Sequence, residues 1–518
     1  MSVTDNHLVK EHIVQDRSMQ LAQLLNGFEY TITDCDNTAL QDVSAIQITG
    51  IVNDSRKITP GCLFLCIKGA AYDSHQDAAK AVEQGAAAVV VMQETDLPAD
   101  GKTVIIHVQD TRIAMAHISA AWFGYPATKM KVIGLTGTKG KTTTTYLIRS
   151  MLMNAGYKVG LIGTIEYIVG DEHIHANNTT PESYTLQSLF ARMVECGTQI
   201  VVMEVSSQAL KLHRTAGIEF DIGVFTNLER DHIGGAEHKD MEEYIYCKSL
   251  LFKQCKTGFV NMDDVHMDQV TAGHTCDIVT YGFDDRADLR ALNIAYIRKP
   301  GALGVFFDTK GLADLHAEIA NPGRFSVYNA LCAIGCAHLL GIDNETIVTS
   351  LKEMHVRGRI EMVPVSDRYT LIIDYAHNAM ALKSLLTTLR DYRPSRLVCL
   401  FGCGGNRARD RRTEMGEVSG RYADFTIITS DNPRDEDPQA IIDDIKQGIE
   451  QTEGVYVEIP DRKEAIAYAI QNAQSGDIIV LAGKGHEDYQ EIKGVKYPMD
   501  ERDLIHDILT EMKMNGNE

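Results

Sequence analysis

The sequence predicts an α/β protein of three domains. The length of 518 residues allows about three domains at the usual size. A hydrophobic fraction of 44% suffices for separate cores. Short β-branched runs alternate with stretches of helical spacing, and polar motifs follow several of these runs. The divisions expected are 1–129, 130–356 and 357–518.

Residues 1–129 read as a small α/β unit. Asp54-Ser55-Arg56 precedes the turn Pro60-Gly61, and Leu63-Phe64-Leu65 reads as a strand. A polar turn runs from Gly69 to His75, Ala78–Val82 is helical, and Ala86–Met92 is a second buried strand. Tyr125-Pro126 makes the link to the next unit, because proline disfavours helix just before it.

Residues 130–356 alternate strand and helix, with strands expected at Lys131–Thr136, Val159–Gly163, Ile200–Val205 and Ile222–Asn227. The first strand runs into Gly137-Thr138-Lys139-Gly140-Lys141-Thr142-Thr143, and helical spacing follows. Strand, glycine turn and helix start bring free backbone N–H groups and a positive helix end together, an arrangement that holds phosphate. Lys141 would reach the β- and γ-phosphates, and the Thr142 hydroxyl would serve Mg²⁺. Leu135 stands where the strict pattern has its first glycine, so the match is to a shorter variant anchored on Gly137. The plainer alternative, a glycine turn of any α/β protein, has little weight beside Gly-Lys-Thr opening a helix.

Glu204 ends the apolar run Val201-Val202-Met203, where a carboxylate is costly unless it meets a cation or donors. Either a hydrogen-bonded Glu or a Mg²⁺ ligand satisfies that need, and the neighbouring nucleotide loop favours the metal. His232 follows Arg230-Asp231 past another strand. Lys248, on an expected helix, reads on its own as a solvated lysine. The stretch Asp264 to Asp314 suggests a side sheet of short strands, and a helix should start near Tyr328.

Residues 357–518 alternate again, with strands at Leu371–Ile373, Leu397–Phe401, Phe425–Thr429 and Ile478–Leu481. Each runs into a polar motif: Asp374-Tyr375-Ala376-His377, Gly402–Arg407, Asp431-Asn432-Pro433-Arg434 and Gly483–Glu487. Open parallel sheets bind ligands at their carboxyl edge, so this is a second ligand edge. Arg407, Arg409, Arg411 and Arg412 follow a glycine turn and suit carboxylates or phosphates. Asp431 and Asn432 could accept from an amine while Arg434 grips a carboxylate.

The formal net charge of -21, without a basic tract, argues against nucleic acid or an anionic membrane as partner. The longest wholly apolar run, Ala86–Met92, is too short to span a bilayer, and the first residues lack the apolar core of a signal peptide. The eleven cysteines include the spaced pairs Cys62/Cys66, Cys332/Cys336 and Cys399/Cys403, best read as buried reduced thiols. A soluble, cytoplasmic protein is expected.

Taken in order, these motifs resemble the Mur ligases, the ATP-dependent amide-forming enzymes of peptidoglycan precursor synthesis. The string is Asp54-Ser55-Arg56, Thr136–Thr142, Asn178-Thr179-Thr180-Pro181, Glu204–Ser207, Asn227–His232, Arg359-Ile360-Glu361, Asp374–His377, Asp431–Arg434 and Ala482–Glu487. It covers nearly the whole chain and is closest to the member that adds the third amino acid. The resemblance implies a UDP-binding N-terminal domain, a central P-loop ATPase with a mostly parallel sheet, and a Rossmann-like C-terminal domain. Ser55 and the turn Ala70-Ala71-Tyr72 would meet the uridine end. Asn178, Thr179, Thr180, Ser206 and Arg214 would hold the UDP-N-acetylmuramoyl-dipeptide. Thr142, Glu204 and His232 would serve the magnesium ions, joined by Lys248, which matches the family's carbamylated lysine. Asn329, Arg359, Asp374 and His377 would contact ATP. Arg407, Asp431, Asn432, Pro433, Arg434, Gly483 and Glu487 would bind the incoming amino acid.

Lys141, Glu204, His232 and Lys248 would then carry the catalysis. An Arg after Asp-Asn-Pro goes, in this family, with meso-diaminopimelate, so Arg434 points to that amino acid joining the UDP-linked L-Ala-D-Glu through an acyl phosphate. A monomer is expected. Two alternatives stay open: the same reaction with L-lysine or another amino acid, and a folylpolyglutamate synthase-like ligase. Asp374–Asn378 partly fits the second, but residues 1–129 argue against it.

Overall fold

The computed structural model describes residues 17–36, 38–40, 42–69, 72–230, 233–234, 237–299, 301–353 and 356–514. Ala70, Ala71, Asp231 and His232, expected at ligand contacts, lie outside the described residues. The chain divides into two compact units, Met1–Tyr281 and Gly282–Glu518.

The first unit begins with a five-stranded sheet: β1 (Tyr30–Thr33), β2 (Ile51–Val52), β3 (Leu63–Leu65), β4 (Ala88–Val91) and β5 (Val104–Val108). Its order is β1-β5-β4-β3-β2; β1 runs antiparallel to β5 and the rest pair parallel. Two helices follow strands of this sheet, α1 (Ala78–Glu83) and α2 (Thr111–Trp122). The Asp110 carboxylate starts α2 by accepting from the Arg112 and Ile113 N–H groups. Every residue of β3 and β4 is buried, as their unbroken apolar runs require.

A second sheet in this unit holds β6 (Lys131–Thr136), β7 (Val159–Ile162), β8 (Glu166–Val169), β9 (Glu172–His175), β10 (Ile200–Glu204), β11 (Phe220–Phe225), β12 (Cys255–Asn261) and β13 (Asp277–Gly282). The order is β9-β8-β7-β10-β6-β11-β12-β13, with β7 through β13 of that series parallel and the β8–β9 hairpin antiparallel. The helices α3 (Lys141–Asn154), α4 (Ser183–Glu195) and α5 (Met241–Ser249) connect these strands. Because β10 and β11 flank β6, three strand ends meet at one switch point: Glu204 pairs with Leu135, and Phe225 with Thr136.

The second unit opens with antiparallel strands β14 (Leu289–Lys299), β15 (Ala302–Gly311) and β16 (Leu315–Ile319). The first two are long, where the sequence suggested short strands. Charged and polar residues punctuate them because one face is exposed. The next helix, α6, spans Arg324–Leu339 and starts before Tyr328, since Gly323 at φ 90° marks its entry.

A six-stranded sheet follows: β17 (Glu361–Val363), β18 (Thr370–Asp374), β19 (Arg396–Phe401), β20 (Phe425–Ile428), β21 (Tyr456–Glu458) and β22 (Asp477–Ala482). Its order is β17-β18-β22-β19-β20-β21, parallel apart from β17. Asp374 and Phe401 both align with Ala482, so the expected motifs leave one edge together. Of the helices α7 (Ala379–Arg390), α8 (Asp410–Tyr422), α9 (Pro438–Ile449), α10 (Arg462–Gln471) and α11 (Glu501–Met514), all but α8 bury leucine or isoleucine stripes against this sheet, and α8 buries Met415. A hairpin, β23 (Tyr489–Ile492) and β24 (Val495–Pro498), leaves the same edge after Glu487.

Among the described residues no helix is long and apolar enough to cross a membrane. The three spaced cysteine pairs are buried free thiols, and burial pushes Cys66, Cys399 and Cys403 up to about 12.

Candidate active site

In the first unit the turn between β6 and α3 is braced by the segment that leaves β11. The Thr138 N–H donates to the Asn227 carbonyl at 2.9 Å, and the Lys139 N–H to Asn227 Oδ1 at 2.9 Å. Thr226 Oγ1 donates to the Lys139 carbonyl at 2.7 Å. Gly137 has φ 147°, and a Cβ there would lie 2.0 Å from Thr226 Oγ1 and 3.1 Å from the Asn227 carbonyl. Only glycine permits that approach. Gly140, at φ 85°, turns the chain into α3 without a side-chain cap, so the first N–H groups of the helix face the turn. The Lys141 ammonium folds back to donate to the Gly137 and Thr138 carbonyls at 2.8 and 3.2 Å. Lys139 pairs with Glu229 at 2.6 Å. Thr143 is half-buried one position past Thr142.

Glu204 is 1% exposed at the end of β10 and finds donors rather than open space. Oε1 accepts from Thr142 Oγ1 at 3.0 Å and the Thr164 N–H at 2.9 Å, and Oε2 accepts from Thr164 Oγ1 at 3.0 Å. Thr164 Oγ1 lies 3.1 Å from Thr179 Oγ1. Thr180 Oγ1 donates to the Glu204 carbonyl and accepts from the Ser206 N–H. Arg214 donates to the Thr180 carbonyl at 2.8 Å and pairs with Glu182 at 2.6 Å. Asn178 is exposed, its carbonyl held by the Tyr167 hydroxyl at 2.6 Å. Thus Thr142, Glu204, Thr179, Thr180, Ser206 and Arg214 form one connected cluster. Ser55 sits apart from it, in the turn Ser55–Lys57 of the N-terminal sheet; Asp54 caps that turn and pairs with Arg56, which holds its carboxyl at about 2.

Lys248 departs from the solvated lysine expected of a helix surface. It is 1% exposed, with its ammonium 4.4 Å from the Tyr244 ring centroid. The Tyr244 hydroxyl lies 3.1 Å from Thr138 Oγ1, which ties this lysine's surroundings to the nucleotide turn. His238, 1% exposed, was not singled out by the sequence. Its Nε2 lies 2.9 Å from Ser207 Oγ, its ring packs 5.1 Å from that of Tyr244, and burial pushes its pKa down. Thr164 was missed as well; it sits just past β7, and nothing in its spacing marks it as the donor to Glu204.

In the second unit Asp374 is buried at the end of β18. Oδ2 accepts from the Ile360 N–H and Oδ1 from the Ala376 N–H, both at 2.8 Å, while burial pushes the carboxyl up. The Arg359 guanidinium stacks 5.0 Å from the Tyr375 ring centroid, and its Nε is buried without a hydrogen bond. His377 is exposed, its Nδ1 3.0 Å from the Tyr375 carbonyl. Asn329 is buried on α6.

The turn Asp431–Arg434 is buried except for Arg434, which is half-buried at φ 51°. Arg434 donates to the Gly405 carbonyl at 2.7 Å and pairs with Glu491 at 3.1 Å. Asn432 Oδ1, expected to meet an amine of the substrate, accepts instead from Lys484 and the Glu491 N–H, both at 2.9 Å. Glu487 Oε2 accepts from Lys484 and Asn432 Nδ2 at 2.9 Å each. Gly483, at φ 108°, would place a Cβ 2.9 Å from Asp431 Oδ2. Arg407 is exposed. Arg412, counted by sequence among guanidinium groups open to an anion, is 1% exposed and pairs with Glu436 and Asp444 at 2.7 and 2.8 Å. It ties α8 to α9 and to the loop that follows Arg434.

Known proteins resemble this chain over most of its length. Residues 47–123 match the catalytic domain of the Mur ligase family, 135–337 the Mur ligase middle domain, and 358–485 the Mur ligase glutamate ligase domain. The UDP-N-acetylmuramoyl-L-alanyl-D-glutamate–2,6-diaminopimelate ligase of Caldanaerobacter subterraneus is 43% identical over 95% of this chain and 99% of its own length. The protein of that name from Clostridium botulinum is 41% identical over 95% of this chain and 100% of its own length. A solved structure of a ligase of the same name superimposes with a TM-score of 0.68 at 29% identity, covering 91% of this chain and 97% of its own. Fold, motif edges and these similarities agree: the chain belongs to the Mur ligase family and is an amide-bond-forming ligase.

Proposed function

We propose that this ligase adds meso-diaminopimelate to the D-glutamate of UDP-N-acetylmuramoyl-L-Ala-D-Glu at the expense of ATP. One observation carries the reading: the Glu204 carboxylate is bonded to Thr142 of the nucleotide turn and to Thr164, which meets Thr179 of the expected acceptor cluster. Phosphate side and acceptor side thus share one buried carboxylate. Relatives more than two-fifths identical bear the name of this activity.

In the first step the D-glutamate side-chain carboxylate attacks the γ-phosphorus and ADP leaves, giving an acyl phosphate. The diaminopimelate amine then attacks the acyl carbon, and inorganic phosphate leaves. The turn Gly137–Thr143 would cradle the phosphates, with Lys141 leaving its two carbonyl partners to meet the charge that builds during transfer. Thr142 and Glu204 offer the hard oxygens that Mg²⁺ takes, and His232 and a carbamylated Lys248 would complete the metal sites; the ion supplies charge neutralisation at the phosphates. Ser55, Asn178, Thr179, Thr180, Ser206 and Arg214 would position the UDP-linked dipeptide. Asn329, Arg359, Asp374 and His377 would contact ATP. Arg407, Asp431, Asn432, Pro433, Arg434, Gly483 and Glu487 would hold the amino acid, Arg434 facing its second carboxylate once released from Glu491. The functional division is 1–129, 130–356 and 357–518, acting as a cytoplasmic monomer.

The test is an amino-acid panel with purified protein, ATP, Mg²⁺ and the UDP-linked dipeptide. Phosphate release should depend on diaminopimelate. Preference for lysine would overturn the assignment of Arg434, and indifference to the UDP-sugar would overturn the whole reading.

A further inference from the structure

Lys484 is 0% exposed, on the edge that follows β22. Its ammonium has three hydrogens and three acceptors: Asn432 Oδ1 and Glu487 Oε2, each at 2.9 Å, and the Tyr489 carbonyl. No hydrogen remains for a substrate. A buried lysine so completely engaged contacts no ligand; it dictates what its neighbours present.

The consequences follow from counting donors and lone pairs. Asn432 Oδ1 is filled by Lys484 and the Glu491 N–H, so the amide is fixed with its Nδ2 toward Glu487. One Nδ2 hydrogen goes to Glu487 Oε2, which leaves the other. Glu487 Oε2 is filled by Lys484 and Asn432, while Oε1 has the Tyr375 hydroxyl at 3.5 Å. What the pair retains is one amide donor and one carboxylate acceptor, which complement the carboxylate and ammonium of an amino-acid end. Burial alone pushes the Glu487 carboxyl up, but the Lys484 charge and the hydrogen bonds from Lys484 and Asn432 together outweigh it and hold the group below its ordinary value. The acceptor is therefore ionised at neutral pH.

We infer that Lys484 is a positioning residue for amino-acid specificity, locking Asn432 and Glu487 into the one donor–acceptor arrangement that reads a zwitterionic end of the incoming substrate. This deepens the proposed function and rests on it. With Lys484 absent, the Asn432 amide can turn over and Glu487 loses its fixed charge partner.

The experiment is steady-state kinetics on the full chain with Lys484→Met. The KM for diaminopimelate should rise by about 30-fold, the scale of losing charged hydrogen bonds, while those for ATP and the UDP-linked dipeptide stay within about twofold. Equal change in all three, or no change, overturns the inference. In a Glu487→Gln background, adding Lys484→Met should raise the KM for diaminopimelate by less than about threefold, because the group it acts through is already altered. A further rise of about tenfold or more there also overturns it. This pair removes the buried charge with its partner, so it answers even where the single variant fails to fold. Wild-type protein that ignores diaminopimelate would instead refute the parent function.

Discussion

The buried carboxylate at the end of β10 yields the sharpest quantitative expectation. Thr164→Val keeps the branched shape and removes one hydroxyl. That hydroxyl is the donor to Glu204 Oε2 at 3.0 Å, whereas Oε1 keeps the Thr142 hydroxyl and the Thr164 N–H. A hydrogen bond to a charged group contributes about 1.5–3 kcal/mol, and a carboxylate 1% exposed has no water to replace it. At about 2–4 °C per kcal/mol for a unit of this size, the ligand-free Tm should fall by about 3–12 °C. Differential scanning calorimetry without nucleotide reads this directly. In a Glu204→Met background the carboxylate is gone, and Thr164→Val should then shift Tm by less than about 2 °C. Equal drops in both backgrounds would show that Thr164 acts by packing and that the carboxylate network is not the hub of this edge.

Other perturbations separate the remaining parts. Gly358→Ala would put a Cβ 2.1 Å from the His486 nitrogen and 2.3 Å from the Gly485 carbon, both backbone atoms, so the Arg359 segment must move. A loss of about 100-fold in kcat/KM is expected from such a displacement. Gly494→Ala, also at positive φ but with open space around its Cβ, should leave turnover within about twofold, and steady-state rates distinguish the two. Arg434→Met should cut discrimination between diaminopimelate and lysine by about 10- to 100-fold in competition assays. The Arg412 hydrogen bond, with the Asn406 N–H, holds the Glu436 carboxyl at about 2, below its ordinary 4.5. A carboxyl depressed in the folded state stabilises fully above its ordinary value and loses that contribution as pH falls toward 2. The Tm gap between wild type and Glu436→Gln should thus be constant from neutral pH to about 5 and narrow below 4.5.

Much of this was legible along the chain because strand ends announce themselves. Lys131–Thr136 was read with the boundaries it has, and Glu204 and Asp374 stand where apolar runs meet polar motifs. Local pattern says little about partners, which depend on which strands become neighbours. Thr164 and Glu204 are bonded because β10 lies beside β7. The same limit hid Lys248 and Lys484, since a lysine on a helix or after a glycine is ordinarily solvated. Lys248 lies against Tyr244 one turn back on its own helix, and Lys484 is held by Glu487 nearby in sequence and by Asn432 and the Tyr489 carbonyl from other segments. His238 was obscured by the glycines around it, and the long strands β14 and β15 by their polar, exposed faces.

The central claim is that a carboxylate of the UDP-linked dipeptide is phosphorylated before the amine attacks. It is tested most directly by labelling the D-glutamate side-chain carboxylate with heavy oxygen and analysing the inorganic phosphate released during turnover with diaminopimelate. The account predicts one labelled oxygen in each phosphate formed. Phosphate free of label, with amide product accumulating at the normal rate, would contradict it.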